Sequence, residues 1–144
     1  MANGGYFLFE HPAYGDTWKV PEMEEMLNMP NVDSVIADQC MYGLVTRGVA
    51  GGPEMPAKKP TRFVSNSWYI LQELGIRCDH SHTHQHLVGG RAARAAEYPD
   101  LLCEAMCRGL VNQIRYDRSG RVCVSGIEQV GEFLSYMHVV DNEC

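Results

Sequence analysis

Apolar and polar positions along this chain fall into short blocks whose period changes several times. Residues 5–10, GYFLFE, are an apolar run closed by a carboxylate, which predicts a buried strand with Glu10 at its C-terminal end. Residues 11–18, HPAYGDTW, carry the Pro, Gly and Asp of a loop. From Val20 to Met29 the period becomes helical: Met23, Met26 and Leu27 share a side, Pro21 and the glutamates fill the first turn, and Pro30 ends the run. VDSVIA, 32–37, predicts a second strand, and TRFVS, 61–65, a third after a glycine- and proline-rich stretch from Gly43 to Pro60. Asn66 and Ser67 are placed to cap a helix through SWYILQEL, with Gly75 closing it. Glu97 to Tyr116 predicts the longest helix, with Pro99 in its first turn and Leu102, Met106, Leu110, Val111 and Ile114 along one side. Asp117–Gly120 reads as a turn, Arg121–Val124 as a short strand and Ile127–Met137 as a last helix.

This order of elements is α/β. The expectation is a single domain, residues 1–144, with its core in 4–116 and a terminal turn, strand and helix in 117–144. Its sheet should be part of a Rossmann-like three-layer arrangement, in the order strand, helix, strand, hairpin, then C-terminal helices. No G-x-G-x-x-G turn is present, since Gly51-Gly52 and Gly89-Gly90 are loop pairs. The pattern is that of an α/β sheet without its nucleotide-binding half. A half-sheet exposes a strand edge, so self-association through that edge is expected.

Composition narrows the function classes. A hydrophobic share of 45% over 144 residues suits one globular core and excludes disorder as the default. The net charge of -6 is acidic, and Lys58, Lys59 and Arg62 form the densest cationic stretch. Taken alone, the chain lacks the basic face of a phosphate-gripping protein, and these cations are expected at a solvated hairpin end. No apolar run approaches the roughly 18 residues of a membrane span, and the N-terminus lacks the basic start of a signal peptide, so an intracellular location, nuclear or cytoplasmic, is expected. The six cysteines should then be reduced thiols. Cys103 and Cys107, four apart in a helical pattern, read as small core residues, and Met23, Met26, Met29 and Met106 as core filler.

Candidate chemistry gathers in three places. Glu10 ends a strand, where open α/β sheets bind ligands; the alternative is a carboxylate turned to solvent. Asp38, Cys40 and Tyr42 alternate and would share a face if their strand continued, but Cys40 has no cationic neighbour in sequence and is expected in the core. RCDHSHTHQH, 77–86, alternates Cys78, His80, His82, His84 and His86 with polar residues. Thiolate and imidazole suit zinc. An extended chain runs too straight to give four ligands, so others must come from elsewhere, with Cys40, Cys103 and His138 available. The alternative is a polar strand or loop end.

Two stretches carry a resemblance. FLFEHP delivers a carboxylate and then a proline, and VIADQCMYGL…AKKPTRFVSN follows it. Cytosine-specific DNA methyltransferases are similar in order and spacing, with a Glu-Asn-Val strand and then a hairpin. The chain most resembles a methyltransferase-like segment of copia-type retroelement polyproteins, of the kind abundant in dinoflagellate genomes. The similar residues are Glu10–Pro12, Asp38–Gly43, Lys58–Arg62, Cys78 with His82, His84, Leu87 and Gly89, and Ala95–Cys103, within roughly residues 4–115. The resemblance implies a substrate-side wall for a nucleic-acid base, with Glu10 and Arg62 on the catalytic side. It also makes Cys78, His82 and His84 the preferred metal ligands. The family's Asn after the glutamate is His11 here, so that contact has no counterpart. The family's methyl-donor site and Pro-Cys loop precede the Glu-Asn-Val strand, so the resemblance implies a fragment that does not methylate DNA unaided. No cofactor is expected, except zinc in the rival reading: a small zinc-stabilised binding or scaffold module built on Cys78–His86. The partner would be nucleic acid, in the setting of a longer polyprotein.

Overall fold

A computed structural model describes residues 4–47, 52–87 and 95–119. The elements in chain order are β1 (Leu8–Pro12), a 3-10 turn (Asp16–Lys19), α1 (Pro21–Leu27), β2 (Asp33–Asp38), a second 3-10 turn (Gln39–Tyr42), β3 (Val45–Arg47), β4 (Glu54–Pro56), β5 (Pro60–Ser65), α2 (Trp68–Leu74) and α3 (Asp100–Arg118). The fold is mixed α/β, as expected. The strand and helix expected at Arg121–Val124 and Ile127–Met137 lie outside the described residues.

The sheet differs from a Rossmann-like one. Its order is β1-β5-β2, and β5 runs antiparallel to both neighbours. A separate antiparallel hairpin, β3–β4, occupies part of the glycine- and proline-rich stretch. The physical reason lies in β5. Phe63 and Val64 are fully buried on opposite faces of the sheet, which is the burial of a central strand. β1, by contrast, ends in Pro12, which has no N–H to donate and is tolerated at an edge. The α1 crossover therefore leaves β1 and β2 parallel to each other with β5 between them.

Register sorts the side chains. Glu10, Phe63 and Val35 share one face, and His11, Arg62 and Ile36 share the other. On the first face Phe63 packs with Ile70, Leu71, Leu74, Leu102 and Ala105 from the two helices. On the second, Trp18 lies over the strands. Its ring is 5.8 Å from that of Phe9 and 4.9 Å from the Arg62 guanidinium. β1 also starts later than expected and carries Glu10 at its middle, because the Phe7 N–H is taken by Asn66 Oδ1 at 3.0 Å rather than by the ladder.

The helices meet on a small-residue face. Ser67 caps α2 as expected, its hydroxyl accepting from the Ile70 N–H at 3.3 Å while donating to Gln113 Oε1 at 2.7 Å. α3 buries Leu102, Ala105, Gly109 and Gln113, whereas Leu110, Val111 and Ile114 are exposed, and so are Cys103 and Cys107. Of the expected apolar side, Leu102 is buried and Met106 packs against the core, while Leu110, Val111 and Ile114 turn outward. Gly109 is the reason: a Cβ there would sit 2.6 Å from Ile70 Cα and 2.8 Å from the Tyr69 carbonyl oxygen, both backbone atoms. Its hydrogen lets the two helices approach. Gly109→Ala should destabilise the protein by about 1–3 kcal/mol through overpacking, although alanine favours helix by about 1 kcal/mol. Urea unfolding of the variant checks the sign.

Candidate metal centre

β2 ends at Asp38, and the residues around it fix the site. The Asp38 N–H donates to the Ile76 carbonyl at 3.0 Å. Its carboxylate is 1% exposed, and Oδ2 accepts from the Cys78 N–H at 2.9 Å and from Arg77 Nε at 3.0 Å. The segment after α2 is thereby tied to the end of β2. The chain then leaves the strand in the 3-10 turn Gln39–Tyr42, closed by Gly43 in the left-handed region at φ 85°. Gln39 Nε2 donates to Thr61 Oγ1 at 2.9 Å, and the Tyr42 hydroxyl donates to the Glu73 carbonyl at 2.8 Å. These bonds anchor the turn on both sides of Cys40, whose thiol donates to the Asp38 carbonyl at 3.9 Å and whose sulfur lies within 4.8 Å of that of Cys78.

The histidine segment is neither strand nor helix. The Ser81 N–H donates to Asp79 Oδ1 at 3.0 Å, an Asx-type turn, and His80 takes the left-handed conformation at φ 62°. The chain reverses there and returns two imidazoles to Cys78. His82 Nε2 lies 3.8 Å from its sulfur and His84 Nε2 3.4 Å. The segment leaves along the hairpin, with the Gln85 N–H donating to the Pro56 carbonyl at 2.8 Å.

One ligand atom each from Cys40, Cys78, His82 and His84 lies within 4.8 Å of the other three. Zinc bonds of about 2.0–2.3 Å in a tetrahedron put ligand atoms roughly 3.3–3.8 Å apart. The two Cys78–histidine distances fall within that range and the whole set lies close to it. Two cysteines and two histidines form a closed donor set, the kind found in structural rather than catalytic zinc sites.

Two expectations are corrected. Cys40 is buried, but its sulfur faces the cluster rather than only filling the core. β2 ends at Asp38, so the condition for Asp38, Cys40 and Tyr42 to share one face, a strand continuing through them, is not met. Of the other proposed ligand sources, Cys103 is exposed on α3 and outside the cluster, and His138 lies outside the described residues.

Burial favours the neutral form of both Cys40 and His84. Burial, then the neighbouring Cys78 and the charge of Asp38, push the Cys40 thiol up to about 12. Burial, with the nearby His82 and Lys58, holds His84 below the usual imidazole value. A neutral imidazole is the form that binds metal, while the thiol must give up its proton.

Glu10 and Arg62 are not brought together. Glu10 faces the helices near Tyr98; burial, then that carboxylate, raises the Tyr98 hydroxyl. Lys59 stands near the same carboxylate, donates to the Ala95 carbonyl at 2.6 Å, and is lowered by burial. It is not simply solvated, as expected for a hairpin end. Arg62 sits on the opposite face against Trp18, with its Nε buried and without a hydrogen-bond partner. Tyr98 was missed from sequence, where nothing in the spacing sets it apart from a first-turn helix residue. Comparison of the chain with protein-family models, curated proteins and solved structures found no match.

Proposed function

We propose that this chain is a zinc-stapled α/β binding module, with Cys40, Cys78, His82 and His84 holding one structural zinc ion. The single observation that carries this reading is the convergence of four soft and borderline ligand atoms within 4.8 Å, from two segments 38 residues apart. Such a site would clamp the turn after β2 to the irregular segment after α2. Its role is to hold a surface, not to perform chemistry, because a closed set of four protein ligands leaves no position for substrate. Metal analysis of protein purified without added chelator should give one zinc per chain. A metal content near zero, with no uptake on titration, would sink the reading.

A second reading follows the resemblance: the substrate-side wall of a methyltransferase-like fold from a retroelement polyprotein, inactive as an isolated chain and facing a nucleic-acid base. Its support is Glu10, whose carboxylate lies near Tyr98 and Lys59 on the helical side of β1. The parallel direction of β1 and β2 also suits the end of a doubly wound sheet, where an antiparallel strand is common. Arg62, on the other face, would not share Glu10's substrate contact. On this reading the chain lacks a methyl-donor site, and calorimetry should detect no binding of S-adenosylmethionine. Micromolar binding would overturn the fragment account.

A further inference from the structure

Two of the four clustered ligands are thiols, and they are each other's neighbours. Their sulfurs lie within 4.8 Å of each other in the cluster. Both thiols are buried, but their surroundings differ. Cys40 sits in a 3-10 turn fastened through Gln39, Tyr42 and Gly43. Cys78 opens an irregular stretch in which Asp79, His80 and Ser81 are exposed. A disulfide needs its sulfurs about 2.0 Å apart, so forming it must draw the two together from within 4.8 Å. Cys103 and Cys107, by contrast, are exposed on α3 and outside the cluster.

We propose that Cys40 and Cys78 form a peroxide-sensitive switch on the metal site, in which their oxidation to a disulfide releases the ion. The switch rests on the zinc reading of the same four residues. The oxidant is a hydroperoxide, with hydrogen peroxide as the simplest member. The Cys78 sulfur, next to the exposed stretch, attacks one peroxide oxygen. The O–O bond breaks, one oxygen leaves as water after taking a proton, and Cys78 becomes a sulfenic acid. The Cys40 sulfur then attacks the Cys78 sulfur; the S–O bond breaks, the S–S bond forms, and the second oxygen leaves as water after taking another proton. Two thiolates have lost two electrons and one peroxide has become two waters. Zinc has no redox chemistry of its own and keeps its charge. It is left with two imidazoles, too few to hold it against a competing chelator. A thiol reductant reverses the step and restores the donor set.

The test uses the full chain loaded with one zinc, treated with excess hydrogen peroxide in the presence of a chromophoric zinc chelator. One equivalent of zinc should be released, and peptide mapping should find a new bond joining the peptides that carry Cys40 and Cys78, lighter by two hydrogens. Dithiothreitol and added zinc should restore the loaded state. A Cys103→Ser/Cys107→Ser variant should behave the same way, since those thiols are not part of the step. Retention of zinc under peroxide overturns the switch but leaves the metal reading standing. Release accompanied only by sulfinic or sulfonic acid at Cys78, or by a bond to another cysteine, also overturns it. If the untreated chain takes up no zinc, the metal reading itself has failed, and the switch with it.

Discussion

Removing zinc should lower the thermal midpoint of this protein by roughly 10–20 °C. A ligand present at a thousand times its dissociation constant stabilises the folded state by about 4 kcal/mol, and each kcal/mol moves the midpoint by roughly 2–8 °C across domains of 60–250 residues. The site joins parts that the hydrogen bonds of Asp38, Tyr42 and Gln85 also join, so the ion adds to a connection already made rather than supplying all of it. The turn after β2, the segment after α2 and the exit along β4 meet at Cys40, Cys78, His82, His84 and Gln85. Cys40→Ser should reproduce the loss without chelator, since a hydroxyl is a poor zinc ligand and three donors remain. Acid should act in the same direction. The folded protein holds His84 below its ordinary value, so its contribution is present at neutral pH and is lost as pH falls and the imidazole protonates. Metal should be lost over the same acid range, because protons compete for the ligand atoms. Melting curves by circular dichroism, recorded with and without chelator, check the claim. Identical curves for a protein shown to contain zinc would refute the view that the ion staples the fold.

Asp38→Ala should destabilise the protein by about 2–4 kcal/mol and weaken zinc binding by roughly 10–100-fold. The first figure follows from the hydrogen bond to the Cys78 N–H, which is left buried and unpaired at a cost of about 1–3 kcal/mol, and from the lost partner of Arg77. Arg77 is nearly half exposed, so its share is small. The second follows from position: Asp38 touches the backbone of a ligand rather than the metal, and outer partners of this kind typically carry such factors. Asp38→Asn separates charge from geometry. Its amide oxygen can still accept from Cys78, so zinc affinity should recover most of the loss while the Arg77 pairing is weakened. Competition titration with a zinc indicator reads the affinities, and urea unfolding reads the stability. Unchanged zinc affinity in Asp38→Ala would show that the carboxylate does not position Cys78.

Much of the local structure is legible because local rules suffice for it. Ser67 before an apolar run predicts a capped helix, and it caps α2. The long helix, expected from Glu97 with Pro99 in its first turn, begins at Asp100 with Pro99 as its cap. The limits of β2 and β5 follow from their apolar runs to within a residue. The later part of the apolar side expected for α3, Leu110, Val111 and Ile114, faces outward for a reason outside helix periodicity. Which side is buried depended on how near α2 could come, and that was decided by the absent side chain of Gly109.

The site divides along the same line. The sequence by itself determined the α/β class, the strand carrying Glu10 and the run of alternating Cys78 and histidines. It offered Cys40 only beside Cys103 and His138 as a partner for that run, because 38 residues separate Cys40 from Cys78 and no spacing rule spans them. Tertiary structure decided that pairing by ending β2 at Asp38 and turning the next residues toward the segment after α2. It also decided the direction of β5, and with it the separation of Glu10 from Arg62 on opposite faces. Strand pairing and the approach of distant segments depend on which surfaces are buried together, and that is a property of the whole chain rather than of any stretch of it.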